Sequence, residues 1–194
     1  MGGWTTDTSY LFGKPEGMSQ GPDLPLALEG ACALAINNSQ TSLVGGHDGD
    51  SYSRAAFIYD WTNSEWTEVS SMDQPRRLYT GGCGSFTDPA SGDIKMVVIG
   101  GQGNNGTTTE IYNLANDAMN GVMDLIIPLE ECMMCLQSKT NKGVSMYDSG
   151  SVDAIYRFDA DTYEFVELDQ RLTLNGHGVP GLMVPRDSLG VSFV

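Results

Sequence analysis

Basic residues are scarce in this 194-residue chain: ten lysines and arginines stand against 25 aspartates and glutamates, a formal net charge of −15. Such a balance repels a phosphate backbone, so nucleic acid and anionic membrane surfaces are poor partners. Histidine is scarcer still. With only His47 and His177, there is little material for a nucleophilic triad or a copper site. No apolar run approaches the roughly 20 residues that cross a bilayer, and the opening Met1-Gly2-Gly3-Trp4-Thr5-Thr6-Asp7 lacks the apolar stretch of a signal peptide. Gly2 and Thr6 match the loose myristoylation pattern, yet no basic residue precedes Lys14 to add a second membrane signal, and an arbitrary glycine-rich start is the favoured reading. These absences describe a soluble chain, with the cytoplasm the favoured compartment. Helical periodicity is missing too, because nowhere does an apolar 3.6-residue repeat persist.

What is present is a repeating frame. An apolar run ends in a glycine pair at Leu43-Val44-Gly45-Gly46, followed by Tyr59 and then Trp66. The frame returns as Val97-Val98-Ile99-Gly100-Gly101 with Tyr112 and Met119, and a third time as Tyr156 and Tyr163. In each copy the second bulky residue lies seven positions after the tyrosine. Turn clusters between short apolar runs divide each unit into four antiparallel strands. The units cover about 26–72, 73–130 and 131–170, with half units at 1–25 and 171–194, and the spacing from Tyr10 to Tyr59, Tyr112 and Tyr156 is close to 50 residues. Glycine pairs suit sharp exits from strands, and large aromatics supply area that wedges between stacked sheets. Gly45, Gly46, Tyr59, Trp66, Gly100, Gly101, Tyr112, Met119, Tyr156 and Tyr163 are therefore expected to be structural.

These residues resemble the kelch repeat, in which hydrophobics run into a diglycine, then a tyrosine, then a tryptophan after six intervening residues. Met72-Asp73-Gln74-Pro75-Arg76 is similar to the kelch connection from one blade to the next. The resemblance implies an all-β, kelch-like β-propeller of four-stranded antiparallel blades, with three complete units and two half units. That count describes either a small closed ring or an open fragment of a larger one. An open arc exposes sheet faces and favours self-association.

Several motifs compete with this reading. Gly101-Gln102-Gly103-Asn104-Asn105-Gly106 spells the dinucleotide fingerprint, but Thr107-Thr108-Thr109-Glu110-Ile111-Tyr112 reads as a strand where the fingerprint needs a helix. Cys132-Met133-Met134-Cys135 has the spacing of a redox or half-zinc motif without a second pair. Cys32, Cys83 and Cys132 fall near the start of successive units, which points to buried core thiols and, on separate blades, against a disulfide. His47-Asp48-Gly49-Asp50 does not complete a calcium-loop pattern. Two Asn-x-Ser/Thr sequons, at Asn37 and Asn105, fit surface turns.

The function expected is a non-catalytic protein–protein interaction module without a cofactor or metal. Its rim would be built from His47, Asp48, Asp50, Tyr52, Arg54, Arg76, Arg77, Gln102, Asn104 and Asn105, with exposed Arg76 and Arg77 taking an acidic peptide. The alternatives are a kelch-fold enzyme of the oxidase or sugar lyase or isomerase type, and a truncated propeller with no function of its own.

Overall fold

The computed structural model describes residues 7–13, 17–78, 82–103, 108–124, 132–137, 142–147 and 154–171. Every regular element among them is a strand. β1 (Tyr10–Gly13) and β2 (Gly17–Gln20) form a hairpin. β3 (Cys32–Ala35), β4 (Gln40–Val44), β5 (Ala56–Asp60) and β6 (Glu65–Val69) then make a four-stranded antiparallel meander in chain order. A second meander is built from β7 (Cys83–Thr87), β8 (Ile94–Ile99), β9 (Thr108–Asn113) and β10 (Ala118–Asp124). The third is β11 (Cys132–Gln137), β12 (Lys142–Tyr147), β13 (Ala154–Asp159) and β14 (Glu164–Arg171). No sheet closes into a ring among the described residues. Residues 172–194, most of the closing half unit, lie outside them.

Two-residue alternation places the two faces of each sheet against different neighbours. Cys32, Val44 and Ala56 of the first sheet meet Cys83, Met96, Val98 and Tyr112 of the second, with Met72 and Leu78 of the connecting segment between them. On the opposite face of the first sheet Leu43 and Phe57 pack with Leu28, and Leu24, Leu26 and Trp66 close over them. The second and third sheets meet through Phe86, whose ring lies 5.3 Å from Phe158 and 5.9 Å from Tyr163. The innermost strands come together, β3 beside β7 and β7 beside β11.

Two expectations need correction. Cys32 and Cys83 are joined by a disulfide, with Cα atoms 6.2 Å apart, so the first strands of neighbouring sheets are covalently linked. Equivalent positions argued against a bond only if sheet separation keeps them apart, and at the converging inner strands it does not. The third copy of the aromatic frame also shifts by two residues. Tyr59 lies opposite Trp66 across β5 and β6, and Tyr112 opposite Met119 across β9 and β10. In the third sheet the opposed pair is Phe158 and Phe165, while Tyr156 faces Glu167. Tyr163 sits in the hairpin turn at φ 59°.

The diglycines follow the ends of β4 and β8, where unusual backbone angles and close approach are expected of them. Gly45 and Gly101 both have positive φ, and a Cβ on Gly45 would meet the Arg76 carbonyl oxygen at 2.6 Å. On Gly101 it would meet the Arg77 carbonyl oxygen at 2.8 Å. Both pairs leave room for the segment that joins the first two sheets, which lies between them.

Candidate functional site

In the first two sheets the hairpin turns β3–β4, β5–β6, β7–β8 and β9–β10 lie at one end, and the β4–β5 and β8–β9 loops with the β6–β7 connection lie at the other. It is this second end that gathers most of the rim residues expected from the sequence. His47 exchanges backbone hydrogen bonds with Glu29, its N–H donating at 2.9 Å and its carbonyl accepting at 3.0 Å. The Asp48 carboxylate then accepts from the N–H groups of Asp50 at 2.9 Å and Ser51 at 2.8 Å. The Ser51 and Asp50 amides hold the Asp48 carboxyl below the usual carboxylate range. This loop is a fixed turn, because its acidic residue is spent on the backbone.

His47 Nδ1 accepts the Gly49 N–H at 3.0 Å. The same nitrogen lies 3.7 Å from Glu29 Oε1. The His47 ring stands edge-on to Tyr52 with centroids 5.3 Å apart. Tyr52 in turn leans on the second sheet's loop, where a Cβ at Gly103 would come within 3.0 Å of its ring. It is still 40% exposed.

The connecting segment ties the two loops together. Arg77 and Gln102 exchange backbone hydrogen bonds of 2.9 and 3.0 Å, and Arg77 Nη2 donates to Glu29 Oε1 at 2.6 Å. The Met72 N–H donates to the Arg54 carbonyl at 2.9 Å, and the Arg76 N–H to the Ser53 carbonyl at 3.0 Å. His47, Tyr52, Arg77 and Gln102 thus share one patch, with Asp48, Asp50 and Arg54 exposed around it. Asn104 and Asn105 lie outside the described residues.

Arg76 does not belong to the exposed rim. It is completely buried, with Nη1 donating to the Gly100 carbonyl at 2.9 Å and the Thr108 carbonyl at 2.8 Å. Its Nη2 donates to Thr108 Oγ1 at 3.0 Å and to the carboxylate of Glu110, itself fully buried. Glu110 also accepts the N–H groups of Asp73 at 2.6 Å and Gln74 at 3.1 Å. Burial pulls the Arg76 guanidinium below its ordinary value, with Glu110 opposing the shift. The pair is a staple beneath the patch, and Arg77 is half-buried in its own pairing with Glu29.

Compared with models of known protein families and with curated proteins, the chain matches none. The reading of this face therefore rests on its own geometry.

Sequence reasoning missed Glu110 and Glu29, although one signal was present: Glu110 is a carboxylate inside the β-branched and aromatic strand Thr108–Asn113. It also missed two further links between sheets. Ser70 donates its N–H to the Asp117 carboxylate at 2.7 Å and its hydroxyl to the Asp117 carbonyl at 2.6 Å, and Tyr112 Oη donates to the same carboxylate at 3.0 Å. The Ser70 amide and then the Tyr112 hydroxyl hold the Asp117 carboxyl low. Lys95 pairs with Asp88 and donates to Tyr163 Oη at 2.9 Å, and the Lys95 hydrogen bond holds the Asp88 carboxyl well below the carboxylate range. The remaining motifs find no support as sites. β9 begins at Thr108, where the fingerprint needs a helix, and Cys132 and Cys135 lie within β11. No helix among the described residues is long and apolar enough to cross a membrane.

Proposed function

We propose that the chain is a stretch of a kelch-like β-propeller, with blades at about 26–72, 73–130 and 131–170, and that it recognises a protein partner through the loop end of its first two blades. Successive four-stranded meanders with converging inner strands support the propeller reading. So does an opposed bulky pair at one position of each sheet: Tyr59 with Trp66, Tyr112 with Met119, Phe158 with Phe165.

The observation that carries the functional reading is Tyr52. It is a large aromatic, 40% exposed, held by the His47 ring on one side and the Gly103 backbone on the other. A rigid, half-exposed aromatic loses little entropy on binding, which is the character of an interface anchor. Arg54, exposed two residues further along the chain, offers a charge-assisted bond to a carboxylate. Because Arg76 is withdrawn into the core and Arg77 is engaged by Glu29, a partner segment would stack on Tyr52 and pair with Arg54.

The test is affinity capture of partners from native extract with Tyr52→Ala plus Arg54→Ala, scored beside a hairpin-end control, Thr62→Ala. Loss of more than nine-tenths of the captured partner with the first variant, and none with the second, is expected. Equal capture by all three proteins would overturn the assignment.

A further inference from the structure

The disulfide and the Asn37 turn, taken together, bear on where this protein matures. Disulfides form and persist in oxidising compartments and are rare where thiols are kept reduced. Cys32 and Cys83 are paired, and the bond spans two sheets 51 residues apart in sequence. Asn37-Asn38-Ser39 is a complete sequon, with no proline at its middle position. It occupies the exposed β3–β4 turn.

We infer that Asn37 carries an N-linked glycan, added in the same oxidising compartment that forms the Cys32–Cys83 disulfide. Asn37 Oδ1 accepts the Ser39 N–H at 2.8 Å and the Ser39 hydroxyl at 3.0 Å, so the two side chains that define the sequon are in contact and facing solvent. Asn37 Nδ2 donates to Gln40 Oε1 at 2.8 Å. A carboxamide nitrogen has two N–H donors, and glycosylation takes one of them, which leaves one N–H at Nδ2.

The co-reactant is an oligosaccharide carried on a lipid pyrophosphate. Nδ2 of Asn37 attacks the anomeric carbon, and the C–N bond forms as the bond from that carbon to the phosphate oxygen breaks. The lipid pyrophosphate leaves with the electron pair and takes up the proton that Nδ2 gives up. Nothing is oxidised or reduced. The turn lies at the hairpin end of the sheet, where the Trp61 N–H donates to the Ser39 carbonyl at 2.9 Å. A glycan there stands away from His47, Tyr52 and Arg77, and leaves the loop face clear.

The experiment is peptide mapping of the full chain purified from the cells that make it, kept non-reducing, before and after peptide N-glycosidase in heavy-oxygen water. A linked Cys32–Cys83 peptide and labelled conversion of Asn37 to aspartate are expected. Asn37→Asp, which keeps the turn's acceptor oxygen but lacks the nucleophilic nitrogen, is expected to lose that glycan. Asn105→Asp is expected to keep it. Unmodified Asn37, a glycan confined to Asn105, or Cys32 and Cys83 recovered as free thiols would each overturn the inference.

Discussion

Arg76 is buried without exposure because acceptors surround its guanidinium: two carbonyls, one hydroxyl and the Glu110 carboxylate. Only Nε lacks a partner. Burying both charges is costly, and the pair adds little stability over a well-packed apolar substitute, but removing one partner leaves the other charge unpaired in the core. Arg76→Met alone is therefore expected to cost about 3–5 kcal/mol. Glu110→Gln removes the charge and keeps one acceptor oxygen, enough for only one of the Asp73 and Gln74 amides, which now donate to separate carboxylate oxygens. Combined with Arg76→Met it should cost less than the sum of the two single changes, by about 1–3 kcal/mol. Urea unfolding of the four proteins measures this, and strict additivity would show that the two side chains do not act as a unit. The segment from Met72 to Arg76 was legible as a connection between two four-stranded units, but its arginine was not legible as buried. A sequence shows a charge and leaves its environment open, and the acceptors for this one come from β9 and from a loop more than 20 residues away.

At the scale of elements, the outer hairpins of the three sheets repeat one turn. Asp60, Asn113 and Asp159 each accept, through a side-chain oxygen, the N–H two residues on, from Thr62 at 2.7 Å, Ala115 at 2.8 Å and Asp161 at 3.0 Å. Four residues after each stands a non-glycine residue at positive φ: Ser64 at 56°, Asp117 at 49° and Tyr163 at 59°. Left-handed backbone costs an ordinary residue roughly 1–2 kcal/mol, against which glycine loses about 0.5–1 kcal/mol of chain entropy. Ser64→Gly is thus expected to raise stability by up to about 1 kcal/mol in thermal melts. Asp117→Gly should do the reverse, because it discards the carboxylate that receives Ser70 and Tyr112. A loss of stability in both would show that backbone strain does not decide these turns. The same turn explains why the third aromatic pair was misread. Counting seven residues between tyrosines selected Tyr156 and Tyr163, whereas the Asx residue that closes the hairpin sits one position after Tyr59, Tyr112 and Phe158. Aromatic spacing is only a consequence of turn length, so a chance tyrosine at the αL position satisfies it.

At the scale of the whole molecule, neighbouring sheets share cores and polar clusters, and the first two are joined by the Cys32–Cys83 disulfide. Cys32→Ala plus Cys83→Ala is expected to cost about 2–5 kcal/mol, chiefly by releasing the unfolded chain from a closed loop. Calorimetry with and without a reductant checks this: the reductant should lower the melting temperature of the parent and leave the double variant unmoved. An equal response in both would mean that the bond does not hold the sheets. The all-β class, the four-stranded antiparallel order and the turns at Asn37–Gln40, Thr62–Ser64 and Asp88–Asp93 were determined by the sequence alone, because local alternation and turn chemistry are short-range properties. Which charges are buried, which cysteines meet and which aromatic faces its partner were decided only by the tertiary structure. Those depend on how separate sheets approach one another, and no local pattern encodes that distance.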